Sequence, residues 1–454
     1  MCVQLISKYN VPGPRYTSYP TVPYWDMTQF SLTAWKESLR ESFRESNNSQ
    51  GISLYIHLPF CESMCTFCGC TKRITKNHNV EKPYIKALIK ELTLYRELLG
   101  AAPKISSLHL GGGTPTFFSA ENLDLLMGGI FRIARKAENC EFSFEGHPNN
   151  TTLEHLETLA AHGFERVCYG VQDYNHRVQK AINRIQPYAK VKDVTSLARQ
   201  AGYSSVGHDI IYGLPFQTTD DIVETITKTI SLQPDRIAYY SYAHVPWIKG
   251  NGQRGFKTED LPTPDQKRKQ YELGKELLLD HGYVEIGMDH FALPTDALYT
   301  AQQQGNLHRN FMGYNASKTQ VMIGLGMSAI SDSWYSFAQN VKGLEAYYHL
   351  LEHNTLPIAK GHILTDEDLI IRTHIQGLMC SFKTSWASDN LRFDSLPDVL
   401  ISLSELEKDG LITISSDTIE VTQKGRPFVR NVALAFDLRL QENKPSTQLF
   451  SMTV

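Results

Sequence analysis

The sequence has no long hydrophobic run and no basic start followed by an apolar stretch. No window of eighteen consecutive residues is apolar, so the sequence predicts no membrane-spanning helix. The first twenty residues, MCVQLISKYNVPGPRYTSYP, do not read as a secretory signal. Together these two absences favour a protein that resides in the cytoplasm.

The sequence also lacks an excess of charge of one sign. Its 45 Lys and Arg residues are balanced by 48 Asp and Glu residues, which leaves a formal charge of −3. A general nucleic-acid binder needs a strong basic excess to neutralise phosphates, so this balance excludes that class. Hydrophobic residues make up 41% of the 454 residues, which is enough for a large core and excludes extended disorder.

Cysteine is scarce, and its distribution excludes a disulfide framework. Of eight cysteines, four lie within ten residues, at positions 61, 65, 68 and 70, and the others are scattered. A disulfide-rich protein spreads its cysteines over a small secreted domain. One tight cluster in a large chain is more typical of metal binding or redox chemistry.

The segment from about 51 to 245 alternates short β-rich runs with helical patterns. Such alternation indicates a parallel sheet with crossover helices. Six units are too few for the eight of a complete barrel, so we predict an open α/β fold, a partial (β/α)6 barrel. The predicted strands span 52–58, 105–110, 140–145, 166–172, 206–212 and 236–242.

The C-terminal part of the chain differs from this central pattern. Residues 366–379 predict a helix, and residues 403–409 predict a shorter helix followed by a β-hairpin that turns at Ser416 and Asp417. A helix followed by a hairpin is similar to a winged helix, which we interpret as a packing lid because the charge balance does not favour DNA. We predict an N-terminal segment over 1–35 that covers the site, a catalytic domain over 36–362, and a mostly helical, winged-helix-like domain over 363–454.

The pattern C-x3-C-x2-C at Cys61, Cys65 and Cys68 offers three thiolates within eight residues. Three soft sulfur ligands suit an iron–sulfur cluster. A cluster of four irons that is held by three ligands leaves one iron open to an external ligand. Zinc is the alternative, although zinc sites more often add a second cysteine pair or histidines, and the sequence has no second pair.

Polar and glycine residues collect where the carboxyl ends of the predicted strands meet. In parallel α/β folds the working groups lie at that edge. The cysteine loop follows the first strand, and the run Gly-Gly-Gly-Thr-Pro at 111–115 follows the second. Backbone groups without side chains can approach the amino and carboxyl groups of an amino-acid ligand. Glu145 and Gln172 end the next two strands, and Asp209 lies within the fifth.

These motifs together resemble the radical S-adenosylmethionine (SAM) superfamily, beginning with Tyr-Ile-His-Leu-Pro-Phe-Cys at 55–61. More narrowly, and over nearly the whole chain, the sequence is similar to the oxygen-independent coproporphyrinogen III oxidases. The segments that carry this likeness are Gly-Pro-Arg-Tyr-Thr-Ser-Tyr-Pro at 13–20, Phe-Cys-Gly-Cys at 67–70, Gly-Val-Gln-Asp at 170–173, Asn-Arg-x-Gln at 183–186, Asp-x-Ile-Tyr-Gly-Leu-Pro at 209–215, Tyr-Ala-His-Val-Pro at 242–246, Gly-Met-Asp-His-Phe-Ala at 287–292, His-Arg-Asn-Phe at 308–311 and Gly-Leu-Gly-Met-Ser-Ala-Ile-Ser at 324–331.

The resemblance implies a [4Fe–4S] cluster bound by Cys61, Cys65 and Cys68, with SAM on the open iron. It implies that reduction cleaves SAM and that the 5′-deoxyadenosyl radical takes hydrogen from a propionate of coproporphyrinogen III. Loss of CO₂ and one electron then leaves a vinyl group, and two rounds give protoporphyrinogen IX for haem. It also implies a monomer that receives electrons from a reduced flavodoxin- or ferredoxin-type donor.

The same resemblance assigns individual residues around two SAM molecules. It gives catalytic roles to Tyr55 and Glu145, which would contact the first SAM together with Gly112 and Ile330. The residues that would contact the second SAM, or lie between the two, are Phe67, Gly113, Thr114, Gln172, Arg184, Asp209 and Ala243. Cys70 is expected to lie near the cluster without binding it, or to act as a small buried hydrophobe.

The expected substrate carries four propionates, which need cationic partners. The matched segments offer Arg15, His290, His308 and Arg309 as candidates. Two departures from the family pattern bear on substrate positioning and identity rather than on SAM chemistry. Met312 stands where the family commonly has Gln, and Gly146-His147 stands where an acidic residue or Asn commonly precedes the Pro.

Three alternative functions remain open at the level of sequence. A related haem carrier would keep the three cysteines, but such relatives commonly lack Cys-Gly-Cys and the Arg-Tyr-Thr-Ser-Tyr-Pro segment, and both are present here. Another radical SAM enzyme that modifies tetrapyrroles is the second alternative, because of Met312. A zinc-dependent regulator that uses the C-terminal hairpin is the third.

Overall fold

A computed structural model describes residues 3–246, 252–253 and 255–453 of the chain. Residues 1, 2 and 454, at the outer ends of the predicted N-terminal segment and C-terminal domain, lie outside the described residues. The described residues form one large mixed sheet with helices and three small sheets. Among their helices, none combines the length and apolar character needed to cross a lipid bilayer.

The strands of the described residues are numbered in chain order. They are β1 (Ile52–Leu58), β2 (Phe60–Cys61), β3 (Arg73–Ile74), β4 (Lys104–Gly112), β5 (Arg135–Gly146), β6 (Phe164–Gln172), β7 (Ser205–Tyr212), β8 (Arg236–Ser241), β9 (Val284–Gly287), β10 (His290–Ala292), β11 (His308–Asn310), β12 (Gly313–Asn315), β13 (Val321–Leu325), β14 (Ile330–Asp332), β15 (Ser336–Asn340), β16 (Ile358–Ile363), β17 (Lys383–Ser385), β18 (Ile412–Ile414) and β19 (Thr418–Val421).

The α-helices of the same residues are numbered in the same way. They are α1 (Val3–Tyr9), α2 (Leu32–Ser46), α3 (Glu81–Leu99), α4 (Ala120–Ile133), α5 (Leu153–Ala161), α6 (His176–Ala181), α7 (Tyr188–Gln200), α8 (Thr219–Ser231), α9 (Pro264–Asp280), α10 (Ala297–Gln303), α11 (Leu344–Glu352), α12 (Asp366–Ser381), α13 (Leu396–Ser402), α14 (Ser404–Lys408), α15 (Val429–Ala435) and α16 (Leu438–Glu442). Thr152, Thr218, Thr263 and Thr365 begin α5, α8, α9 and α12 with capping boxes.

The large sheet has the strand order β16-β15-β14-β13-β1-β4-β5-β6-β7-β8-β10-β9. The seven strands from β13 to β8 are parallel to one another. Helices α3, α4, α5, α7 and α8 connect consecutive parallel strands. The predicted α/β class and the six predicted strands are confirmed. Since the two end strands do not pair within the described residues, the sheet is open.

β13 is a seventh parallel strand that the alternating pattern did not reveal. It lies far later in the chain and pairs with the other side of β1, so that Gly324 lies beside Tyr55. Antiparallel strands then extend both ends of the sheet. Local periodicity cannot report a pairing between strands so far apart in the sequence.

The C-terminal residues have a hydrophobic cluster of their own. It includes Leu378 of α12, Phe428 and Val432, together with Tyr16 and Tyr19 of the N-terminal segment. The predicted hairpin is present as β18 and β19, and β17 completes a three-stranded antiparallel sheet. The two ends of the chain therefore pack together, while the winged-helix likeness and the boundaries at 35 and 362 stay predictions.

Glu91 in α3 is a buried carboxylate that joins this helix to the chain after β13. It accepts hydrogen bonds from the Gly326 N–H, the Asn340 amide and the Tyr347 hydroxyl at 2.8, 2.7 and 2.6 Å. Burial outweighs these bonds and raises the pKa of Glu91 to about 7. The folded state therefore holds this proton more tightly than the unfolded state. The contribution of Glu91 to stability falls as the pH rises from about 4.5 to about 7.

We expect Glu91→Gln to destabilise the protein at pH 5 and to do so by less at pH 7.5. Gln loses an acceptor but does not ionise, so the advantage of the wild type shrinks by about 2 kcal/mol between pH 5 and pH 7.5. Urea unfolding at the two pH values measures both free energies. The exposed Glu97 on the same helix provides the control Glu97→Gln. A difference between Glu91→Gln and wild type that does not change with pH would contradict the expectation.

Candidate functional site

The cysteine loop is closed at its base by backbone hydrogen bonds. β2 pairs in parallel with β3, and the Cys61 carbonyl accepts from the Thr75 N–H at 2.9 Å. Within the loop, the Thr66 N–H donates to the carbonyl of Ile182 at 3.0 Å. These bonds hold the loop at the carboxyl end of β1 and fasten it to the segment after β6.

One cavity of about 540 Å³ lies at this edge of the sheet, and Cys61, Cys65 and Cys68 all line it. The other predicted site residues that line it are Phe67, Gly112, Gly113, Thr114, Glu145, Gln172, Arg184 and Asp209. Tyr55, Ala243 and Ile330 are not among its lining residues. Most of the predicted site is therefore brought together in one place.

The three predicted residues outside the cavity lining have other surroundings. The Tyr55 hydroxyl lies 3.1 Å from His57 Nδ1, and a Cβ on Gly111 would meet both the Tyr55 ring and Glu145, so Tyr55 lies just behind the cavity wall. The Ala243 carbonyl accepts a hydrogen bond from the side-chain amide of Gln253 at 2.9 Å. Ile330 packs in an apolar cluster that includes the stacked rings of Trp25 and Phe337. Their assignments to SAM stay predictions.

The thiols of the loop differ in their electrostatics. Burial raises the pKa of Cys61 to about 11. A hydrogen bond with the Cys70 thiol, together with the charge of Lys72, lowers the pKa of Cys68 to about 6. The Lys72 ammonium also donates to the carbonyls of Cys68 and Cys70 at 3.2 and 3.3 Å. A lowered pKa favours the thiolate form, which is the form that binds metals.

The donor set fits an iron–sulfur cluster better than a single metal ion. In the part of the chain that the structure describes, no three His, Cys, Asp or Glu side chains form a group able to hold one ion. Three sulfurs of one loop that line a common cavity are the donors that iron–sulfur clusters use. These residues therefore fit a polynuclear cluster.

Glycines bring the end of β4 against the end of β1. Gly112 has a φ of +113°, which glycine adopts without strain, and a Cβ on Gly113 would lie 2.6 Å from the carbonyl carbon of Pro59. The Gly113 N–H donates to the carbonyl of Leu58 at 2.8 Å. The Gly112 N–H donates to Glu145 at 3.2 Å, and the Glu145 side chain is 47% exposed. The edge thus presents backbone groups and one carboxylate to the cavity.

Arg184 and Gln172 are held around the backbone of Gly170. Arg184 Nη2 donates to the Gly170 carbonyl at 2.7 Å, and Arg184 Nη1 lies 3.7 Å from the Cys65 sulfur. Gln172 adopts a left-handed φ of +69° at the end of β6. Within the described chain, Gln172 Oε1 and Arg184 Nε are buried without a hydrogen-bond partner. Such orphaned polar atoms at a cavity indicate a polar ligand.

Cys168 is a cavity residue that the sequence-based reasoning missed. Its thiol donates to Asp209 at 3.1 Å, and burial raises the pKa of Asp209 to about 7. The period of two along β6 places Cys168 on the same side as Gly170, and this signal could have identified it. Lys72 and His147 also line the cavity without an assigned role.

None of the four cationic candidates for the propionates lines the main cavity. Arg15 forms an ion pair with Asp289 and lies 5.6 Å over the ring of Tyr240, which does line the cavity. Arg309 lies over Tyr314 at 4.5 Å. Burial lowers the pKa of His308 to about 3, so this imidazole is neutral at pH 7. The remaining candidate, His290, is half-buried, and its Nε2 lies 3.3 Å from the Tyr240 hydroxyl.

The open parallel sheet, the three-cysteine loop and the glycine-lined strand end define the radical SAM class of enzymes. In agreement, a family model described as the radical SAM superfamily matches residues 55–228. Curated relatives extend the likeness to the whole chain. The oxygen-independent coproporphyrinogen III oxidase of Synechocystis is 40% identical over 99% of this chain and 97% of the relative. That of Escherichia coli is 37% identical over 99% and 98%.

A solved structure gives the same result. The coproporphyrinogen III oxidase of Escherichia coli, described as a radical SAM enzyme, superposes with a TM-score of 0.88 at 35% identity and covers 96% of this chain and 98% of its own. The chain therefore belongs to the family of oxygen-independent coproporphyrinogen III oxidases. The expected radical SAM class, with a [4Fe–4S] cluster and SAM as cofactors, is confirmed.

Proposed function

We propose that this protein catalyses the oxygen-independent oxidative decarboxylation of two propionates of coproporphyrinogen III to vinyl groups, which gives protoporphyrinogen IX for haem biosynthesis. The observation that carries the proposal is the likeness over 99% of the chain to relatives named for this reaction. In each round the side chain loses one hydrogen atom, CO₂ and one electron. The site has the residues for this chemistry, because three thiols, a glycine edge and Glu145 line one cavity.

Cys61, Cys65 and Cys68 would hold the cluster and leave one iron for SAM. When bound, the reduced cluster and SAM supply the radical that removes a hydrogen atom from the propionate. The chain itself binds and orients SAM and the substrate, and it excludes water from the site. Glu145 is suited to accept the SAM ammonium, because the Gly112 N–H fixes Oε2 at 3.2 Å, while Oε1 lies 3.6 Å from His109 Nε2 and the side chain is 47% exposed. Tyr55 would support this end of SAM from behind Gly111.

We assign a second SAM to the remaining part of the cavity. The orphaned Gln172 Oε1 and Arg184 Nε support this assignment, because a ribose hydroxyl can donate to the amide oxygen and a carboxylate can accept from the guanidinium. The residues assigned to the second SAM, or to the space between the two, are Phe67, Gly113, Thr114, Gln172, Arg184 and Asp209, which line the cavity, and Ala243, which does not.

Gly170→Ala tests whether Gln172 and Arg184 bind SAM. The new Cβ would lie 2.5 Å from Gln172 Nε2 and 3.0 Å from Arg184 Nη2, so both side chains must move. We expect the KM for SAM to rise about tenfold, as for the loss of one charge-assisted hydrogen bond. Gly128→Ala in α4, where the nearest atom is 3.8 Å away, is the control. An unchanged KM in Gly170→Ala would remove both side chains from the SAM site.

We propose a reduced flavodoxin- or ferredoxin-type protein as the electron donor and a monomer as the working state. Glu62, Ser63, Gly69 and Cys70 of the cysteine loop are exposed. A donor can therefore approach the cluster edge from solvent. We also propose that the enzyme works in the cytoplasm.

Product analysis tests the proposed function. Anaerobic incubation with SAM, a reductant and coproporphyrinogen III should give two successive losses of CO₂ and two hydrogens in the mass spectrum. Addition of a methyl group or ring opening would instead assign another tetrapyrrole reaction. Stable haem binding without any vinyl product would assign a haem carrier.

A further inference from the structure

A second, smaller chamber lies inside the sheet and adjoins the main cavity. Its volume is about 100 Å³, and it shares Glu145, Cys168, Asp209 and Tyr240 with the main cavity. The hairpin of β11 and β12 contributes Met312, Tyr314 and Asn315 to its wall. This space holds several water molecules or one short side arm, but it is too small for a macrocycle.

Two guanidinium groups line this chamber. Arg166 lies 3.2 Å from Glu141, and Arg236 Nε lies 2.7 Å from both oxygens of Asp296. Even so, Arg166 Nε, Arg236 Nη1 and His290 Nδ1 are buried without a hydrogen-bond partner among the described residues. Buried guanidinium and imidazole nitrogens without a hydrogen-bond partner are costly, and they therefore mark a place for an acceptor.

The guanidinium groups that act on His290 lie both inside and outside this chamber. Burial, and then the charges of Arg309, Arg15, Arg236 and Arg166, lower the pKa of His290 well below its usual value. Arg166 and Arg236 line the chamber, and Glu141 and Asp296 pair with them. Asp289 pairs with Arg15, so the remaining positive charge near His290 is that of Arg309, which does not line the chamber. Two carboxyl groups lie where the chamber adjoins the main cavity. Burial raises the pKa of Asp209 to about 7, and Glu145 is assigned to the SAM ammonium.

We propose that this inner chamber is a carboxylate subsite in which Arg166, Arg236 and His290 hold one propionate arm of the tetrapyrrole while the macrocycle stays outside it. The inference rests on the proposed function, since it names a substrate contact outside the main cavity. The arm is one that does not react. Guanidinium groups stabilise the carboxylate of the bound state and would oppose its conversion to neutral CO₂.

The first test compares binding of coproporphyrin III, the oxidised form of the substrate, with binding of its uncharged tetramethyl ester to the anaerobic holoenzyme. We expect the acid to bind about tenfold more tightly than the ester. Arg166→Gln should weaken binding of the acid about tenfold and bring the two ligands closer in affinity. Arg199→Gln removes a guanidinium that pairs with Asp235 outside the chamber, and it should match wild type. Equal binding of acid and ester by wild type would overturn the proposal.

The second test fills the chamber without changing charge. Ala238 lines it, and Ala238→Leu should weaken coproporphyrin III binding about tenfold while the iron and sulfide content of the anaerobically purified protein stays at the wild-type value. If wild type forms the vinyl product but Arg166→Gln and Ala238→Leu keep the wild-type Kd, the subsite is wrong and the function stands. A different set of results would separate the two proposals in the other direction. If wild type binds the acid more tightly than the ester, if Arg166→Gln abolishes this preference, and if wild type forms no vinyl product, then the subsite is correct and the proposed function is wrong.

Discussion

Replacing Cys61, Cys65 or Cys68 with Ala should reduce iron and sulfide content and bring SAM cleavage to background. All three thiols line one cavity, and a four-iron cluster that keeps an open iron has no spare protein ligand. Iron and sulfide analysis, a visible spectrum and 5′-deoxyadenosine formation measure the loss in anaerobically purified protein. In each of the three variants we expect a lower iron and sulfide content, a weaker visible spectrum of the cluster and background formation of 5′-deoxyadenosine.

Two other cysteines provide matched controls for this prediction. Cys70→Ala should keep the cluster, although Cys70 lines the same cavity and forms a hydrogen bond with Cys68. Cys140→Ala changes a thiol of β5 that does not line the cavity, and it should behave as wild type. Full activity in any of the three ligand variants, or loss of the cluster in Cys70→Ala alone, would contradict the proposed ligand set.

The second large effect is expected for Glu145→Gln. Gln keeps the size of the side chain and one acceptor oxygen but removes the negative charge that would hold the SAM ammonium. The bond from the Gly112 N–H at 3.2 Å can persist, so the backbone edge should remain in place. Loss of a hydrogen bond to a charged group costs about 1.5–3 kcal/mol, which corresponds to a rise of roughly tenfold to a hundredfold in the KM for SAM.

The dependence of 5′-deoxyadenosine formation on SAM concentration measures this KM. Glu138→Gln changes an exposed carboxylate on the same strand, β5, and serves as the control. Glu145→Gln should also weaken SAM binding in equilibrium dialysis, which does not depend on the rate of cleavage. A KM and a dialysis Kd that both match wild type would show that Glu145 does not contact SAM.

The two departures from the family pattern lie in different cavities of the structure. Met312 lines the inner chamber, where an amide would otherwise add a polar group to the wall. His147 lines the main cavity, and burial next to Arg184 lowers its pKa to about 3, so it is a neutral imidazole. Met312 is therefore placed to influence the substrate arm, whereas His147 is placed on the side of the SAM molecules.

The N-terminal segment is held between the sheet and the C-terminal residues. Arg15 pairs with Asp289, and Arg430 donates to the carbonyl of Pro14 at 2.9 Å. Pro12 pairs with Met452 in an isolated bridge. Removing this segment would expose a buried part of the C-terminal cluster, so point variants test its role better than deletion does.

The sequence by itself determined the family, the class of fold and the chemistry. The thiols lie within eight residues, the glycine run directly follows a strand, and the alternation of strands and helices is a local pattern. Only the tertiary structure decided that β13 joins β1, that Tyr55, Ala243 and Ile330 lie off the main cavity, and that Arg166, Arg236 and His290 meet in one chamber. Such meetings depend on the long-range pairing of strands and on packing around them, which no local pattern contains.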